Sequence, residues 1–251
     1  MYRHNSPVVA LMTVALLISY PANATSIVIL RSPDTIYVGA DSRRTYREPG
    51  ETYAGSVCKI VPAGRFIFVA SGLTYFNGRR VAEIGVDAAR NARSVRDAME
   101  AFRHRLISFL PNALIAEAEI EPARDTQGNR LLLEAANLGF EQGKAEVILE
   151  WFRRDANGLL VSDRRIYDSP LPGRYDFIFA GKRREIDRYL ANRSIAVRGD
   201  LDAIRFIRQT VDMEIADSPE TTAAPIDILQ MMANGRRWLQ HKPGCEISPV
   251  R

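Results

Sequence analysis

The sequence predicts an α+β fold in which two antiparallel sheets pack face to face and pairs of helices cover both outer faces. Two observations carry this. Strand-like and helix-like segments come in blocks, in the order strands, two helices, strands, two helices, strand, rather than in the βαβ alternation of a doubly wound parallel sheet. Each helical block also carries an apolar stripe that only a covered sheet face could bury. No internal repeat of solenoid length and no low-complexity tract interrupts the pattern.

The elements follow in order. Ser26 to Leu30 and Thr35 to Ala40 are β-branched and apolar runs on either side of Arg31-Ser32-Pro33-Asp34, which reads as a hairpin. A polar loop is expected from Asp41 to Ser56. Cys58 to Val61 and Phe66 to Ser71 form a second strand pair around Pro62-Ala63-Gly64-Arg65. Val81, Ile84 and Ala88 then recur at helical spacing. Ser94-x-x-Asp97 resembles a capping box ahead of Val95, Met99, Phe102, Leu106 and Phe109, with Pro111 as the stop. Asn112 to Gly143 mixes helix formers with Pro122 and Gly128 and is expected to be an irregular or partly helical insertion. Strands return at Glu146 to Phe152 and Leu159 to Tyr167, joined through Asn157-Gly158, a pair that favours a tight hairpin. Tyr175 to Ala180 is the third strand of this block. Helices are expected over Arg183 to Asn192 and through Leu201, Ile204, Ile207, Val211 and Ile215, with a last strand at Pro225 to Met231 and a loose tail after Trp238.

The first 24 residues hold Arg3 and no acid, an apolar run from Val8 to Ile18, then Pro21 and Ala22-Asn23-Ala24. This is the layout of a signal peptide, and the run is about half of the roughly 20 residues a membrane span requires. Cleavage after Ala24 by a signal peptidase would leave a single domain, residues 25–251, in an exported, periplasmic or secreted protein. That chain has 33 Lys and Arg against 30 Asp and Glu. The basic residues are scattered pairs such as Arg43-Arg44 and Arg236-Arg237, so no nucleic-acid partner is expected.

The chain has two cysteines and three histidines, from which no zinc-type spacing can be built, and neither metal nor cofactor is expected. Cys58 and Cys245 are expected as free thiols, with oxidation to one disulfide the alternative in an exported protein. His104 lies in a helical pattern and reads as a surface residue.

Cleavage before Thr25 would create a residue with both a hydroxyl and a free amine, and the amine can act as base. A free α-amine ordinarily titrates at about 8, so a useful fraction is neutral near pH 7, whereas the same nitrogen in the uncut chain is an amide without basicity. Such a nucleophile calls for a cation, a carboxylate to hold it, and backbone N–H groups facing an oxyanion. Asp41 ends the second strand, Lys59 is expected on the third, and Gly72 follows the fourth. Each also has a plainer reading: a strand-initiating Thr, a turn cap, a solvated lysine, and a glycine needed for positive φ.

TSIVIL, VGAD, GSVCKI and VASG, all within Thr25 to Gly72, resemble the N-terminal part of proteasome β subunits and their bacterial two-component protease relatives, which are N-terminal-nucleophile hydrolases. The resemblance implies a four-layer αββα sandwich with Thr25 as nucleophile, Asp41 supporting Lys59, and Gly72 donating to the oxyanion. It also implies an amide or peptide substrate, an acyl-enzyme intermediate, and a homo-oligomer. The chain departs from the family in its longer Asp41 to Lys59 connection, in the insertion, and in having no clear Asp-x-x-Ser-Gly element. Asp217 with Thr221 or Thr222, in ADSPETT, is the nearest candidate for steadying the Thr25 amine, with a capped helix end as the alternative. Two other functions remain open: a catalytically inactive assembly or binding protein of the same fold, and a small-molecule amidase or acylase.

Overall fold

β1 (Ser26–Arg31) and β2 (Thr35–Ala40) form the expected hairpin, closed by Ser32 N–H donating to Thr35 O at 2.8 Å. Every residue of β1 is buried, with Ile27 and Ile29 in one core and Val28 and Leu30 in another. A strand covered on both faces has no polar side, which is why its sequence is a continuous apolar run. At its far end the buried Arg31 guanidinium donates to Tyr167 O and to Ala145 O and pairs with Asp176. The computed structural model describes residues 25–48, 51–76, 79–110, 130–155, 157, 159–167, 170–191 and 193–243. The expected leader (1–24) and residues 111–129 of the expected insertion lie outside them.

The expected polar loop after Asp41 contains β3 (Arg43–Glu48) and β4 (Glu51–Ser56), paired as a two-stranded ribbon with Arg43 opposite Ser56. Thr45-Tyr46 and Thr52-Tyr53 favour extended backbone, a preference that the surrounding charges masked. β5 (Ile60–Ala63) and β6 (Phe66–Gly72) pair as expected, but β5 begins after Lys59, so this lysine sits in the connection leading into the strand. Pro62 is accommodated because β5 is an edge strand, where a missing N–H breaks no ladder.

β7 (Tyr75–Phe76) and β8 (Arg79–Arg80) form a short ribbon ahead of α1 (Val81–Ala89) and α2 (Val95–Ile107). Ser94 caps α2, its hydroxyl oxygen accepting from Asp97 N–H at 2.9 Å. The expected insertion is corrected from Arg130 onward: β9 (Arg130–Glu141) turns through Gln142 and Gly143, both at positive φ, into β10 (Lys144–Arg154). Ala135 and Ala136 favour helices in isolation, yet they are buried on opposite faces of β9, the centre of its sheet, and tertiary packing overrides propensity there. β11 (Leu160–Tyr167) follows through a loop longer than a tight Asn-Gly turn. Asp155 organises it by accepting from Asn157 N–H at 2.9 Å and Leu159 N–H at 2.8 Å.

β12 (Asp176–Gly181), α3 (Arg184–Leu190), α4 (Asp200–Asp217) and β13 (Asp227–Met232) lie where the sequence placed them. The loose tail is corrected as far as Pro243, because β14 (Gly235–Gln240) pairs with β13 and Lys242 beyond it is buried, while residues 244–251 lie outside the described residues.

The described residues form a mixed α+β structure with two five-stranded antiparallel sheets, ordered β12-β1-β2-β13-β14 and β11-β10-β9-β6-β5, and four helices. One core joins Ile84, Met99 and Phe102 of the first helix pair to Phe68, Leu133 and Phe152. A second is built from Ile29 and Val38 of one sheet with Ile67, Val69 and Leu149 of the other. The third joins Val28, Leu30 and Tyr37 to Ile186, Phe206 and Ile207 of the second helix pair. Antiparallel pairing brings the start of β1 beside the ends of β2 and β12, with Ile27 opposite Ala40 and Ser26 opposite Gly181.

Candidate functional site

Asp41 is the centre of the site. It follows β2, is fully buried, and accepts four donors on two oxygens. Oδ1 takes Ser26 N–H at 2.8 Å and the Lys59 ammonium at 2.8 Å, while Oδ2 takes Arg43 N–H at 3.0 Å and Ala223 N–H at 3.3 Å. One carboxylate thus grips the residue directly after Thr25 and the lysine expected to serve it. Lys59 is buried, and desolvation brings its ammonium down to about 8 against the opposing pull of Asp41. Arg44 and Lys242 act in the same direction as burial by repulsion.

Thr25 is buried, and its carbonyl accepts from Lys182 N–H at 2.6 Å. Gly181, at φ +77°, leaves room for that approach: a Cβ there would lie 2.1 Å from Thr25 O and 2.9 Å from Ser71 Oγ. The end of β6, where Ser71 precedes Gly72, therefore converges on Thr25. Gly72 has φ +94°, and a Cβ on it would come within 2.4 Å of Leu132 O, so no larger residue fits without a backbone shift. Thr25, Asp41, Lys59 and Gly72 are thus brought to one end of the sheets.

Asp217 ends α4. It accepts from Arg184 and from Ser218 Oγ, and its Oδ2 lies 3.7 Å from the Lys182 ammonium, which itself donates to Ser218 Oγ. Burial would raise the Asp217 carboxyl, but the bonds from Ser218 and Arg184 hold it below the ordinary range. Thr221 Oγ1 donates to Ser218 O at 3.3 Å, and Thr222 Oγ1 donates to Glu214 O and Ser218 O at 2.9 Å each, so both hydroxyls cap the end of α4. From there the chain reaches the site at Ala223, whose N–H binds Asp41 and whose O accepts from Ser42 N–H at 3.0 Å.

Sequence reasoning missed three residues here. Glu134 on β9 is buried beside Ser71. Its Oε2 accepts from Gly181 N–H and, at 3.2 Å, from Ser71 Oγ, and its Oε1 accepts from Trp151 Nε1 at 2.8 Å. Burial pushes its carboxyl up, against these donors. Lys182 supports the Thr25 carbonyl, and Lys242 supports the loop before Lys59. One signal could have found the lysines. The chain has only four, Lys59, Lys144, Lys182 and Lys242; Lys59 and Lys242 share one charge cluster, and Lys182 reaches the site through its backbone N–H.

The expected free thiol at Cys58 is overturned: Cys58 is disulfide-bonded, and the chain's one other cysteine is Cys245. Among the described residues no group of His, Cys, Asp and Glu could hold a metal ion, and no helix is long and apolar enough to cross a membrane. No protein-family model matches the chain, and no curated protein matches it in sequence.

Proposed function

We propose that the chain is an amide or peptide hydrolase of the N-terminal-nucleophile type, built as a four-layer αββα sandwich, with Thr25 as its nucleophile once residues 1–24 are removed. The observation that carries this reading is the grip of Asp41 on both Ser26 N–H and the Lys59 ammonium, each at 2.8 Å. That arrangement ties a buried lysine, through one carboxylate, to the residue that follows Thr25. A solvated strand lysine would have no reason to be there.

In the proposed reaction the Thr25 hydroxyl oxygen attacks the amide carbon while its proton passes to the Thr25 amine, directly or through one water. The Lys59 ammonium favours the developing alkoxide. The carbonyl electrons move onto oxygen, where the Gly72 N–H is the assigned donor, a kind of contact whose loss costs about 3 kcal/mol. Collapse expels the amine of the substrate, which takes the proton back, and water then hydrolyses the threonine ester. An exported enzyme of this type has no ATP-driven unfolding partner, so its substrates are peptides, unfolded chains or acylated small molecules.

The test joins mass spectrometry of the mature N-terminus to peptide and amide hydrolysis assays of the wild type and Thr25→Ala. A start at Thr25 and a loss of at least about 10³-fold in kcat in the variant are expected. A different N-terminus, or full activity in Thr25→Ala, would remove the reading. A wild type that starts at Thr25 and hydrolyses nothing would favour the inactive assembly protein.

A further inference from the structure

The Asp41–Lys59 pair is half of a larger buried charge cluster. Asp227 opens β13 opposite Ala40, the residue before Asp41, and is buried, as is Lys242 from the segment after β14. Lys242 N–H donates to Asp227 Oδ1 at 2.9 Å, its ammonium lies 3.9 Å from Asp227 Oδ2, and the same ammonium donates to Val57 O. Val57 stands two residues before Lys59, and its N–H donates to Ser42 O at 2.8 Å, beside Asp41. One lysine therefore ties the strand bearing Asp227 to the loop bearing Lys59.

A covalent bond acts on that loop as well. Cys58, between Val57 and Lys59, is disulfide-bonded, and Cys245 lies three residues beyond Lys242. Two carboxylates in one buried patch call for two cations, since an unpaired buried charge is strongly destabilising. Lys59 answers Asp41, and Lys242 answers Asp227.

We propose that the C-terminal segment is a lock on the Val57–Lys59 loop, with Lys242 the positioning residue that ties this loop to β13 and sets a second positive charge beside Lys59, and the Cys58 disulfide the bond that keeps Lys242 in place. The proposal rests on the reading of Lys59 as the cation of the site. Among the described residues, the charged groups acting on Lys59 include Asp41, Arg44 and Lys242, and those acting on Lys242 include Asp227, Asp41 and Arg44. Loss of the Lys242 charge leaves Lys59 with less repulsion and the same carboxylate partner, so its proton is held more tightly.

The experiment is a pH titration of the lysine side-chain Cε signals by NMR in protein labelled with ¹³C-lysine. With four lysines the spectrum is assignable by substitution. Lys242→Met should move the Lys59 midpoint upward from about 8, Lys242→Arg should restore it, and Cys245→Ser should move it upward with Lys242 still present. Lys144→Met, at an exposed position, is the control and should leave it unmoved. An unmoved Lys59 midpoint in folded Lys242→Met would overturn the proposal. If that variant does not fold, the Cys245→Ser titration decides alone. Peptide hydrolysis measured on the same samples separates the two readings. A moved midpoint in a protein without hydrolase activity upholds the lock and sinks the hydrolase, whereas an unmoved midpoint in an active enzyme does the reverse.

Discussion

Asp41 is a carboxylate with no spare capacity, and that makes it sensitive to a change of one atom. Asn at this position would turn an NH₂ group either toward Ser26 N–H and Lys59 or toward the N–H groups of Arg43 and Ala223, leaving donors facing donors in a buried site. Asp41→Asn should therefore destabilise the fold by about 3–5 kcal/mol, seen as a lower urea midpoint. Adding Lys59→Met to it should recover part of the loss, because the stranded ammonium is removed. Catalysis gives a second check at this scale. If Lys59 works as an ammonium, kcat/KM should fall as pH rises past about 8, and Lys59→Arg should move that fall to higher pH. The nearness of Thr25, Asp41 and Lys59 was legible in the sequence because each sits beside a strand end within the first two hairpins, where local spacing carries the geometry. Glu134, Lys182 and Lys242 were not. Their positions depend on pairings such as Ser26 with Gly181 and Asp227 with Ala40, between segments distant in sequence.

Among the elements, the first helix pair was read almost residue by residue, since Val95, Met99, Phe102 and Leu106 recur on one face and all are buried. Phe102 stands at the middle of that face, its ring 4.8 Å from Phe68 and 6.0 Å from Phe152. Phe102→Ala should cost about 3–5 kcal/mol, measurable as a shift of the denaturant midpoint, while leaving the site residues in place. β9 was missed for a physical reason. Its Ala, Leu and Glu are strong helix formers, and what makes them a strand is a neighbour on each side, β6 and β10. β14 shows the same dependence, because Arg236 and Arg237 give it no apolar pattern and β13 supplies its ladder.

Among the described residues, the buried charges lie mostly at the end of the sheets that holds Thr25, and this sets how stability responds to pH. The unfolded chain keeps the Lys59 proton up to about 10.5, and the folded chain releases it from about 8. Over that window the unfolded state binds more protons, so stability should rise with pH, and Lys242, also lowered by burial, adds in the same direction. Chemical denaturation across the window should show the rise in the wild type and a flatter course in Lys59→Met. Activity would decline over the same interval, so the two properties should move apart. The block order of the sequence conveyed the sheets and helix pairs, because each core is fed by stripes visible in single segments. Strand order within a sheet was hidden, since it is decided by contacts among all of the segments at once. The opposite end of β1 has a consequence for how the chain could mature. Arg31 is fastened to Tyr167, Ala145 and Asp176, and Ser26 is fastened to Asp41, so the strand is held at both tips. A slide by one position would carry the guanidinium toward apolar surroundings and swap every side chain to the wrong face. On the proposed chemistry, trimming must then be accurate to a single bond. A chain beginning at Ala24 or Ser26 would keep its strand in place and hold its amine roughly 3.4 Å out of position, with no way to creep back.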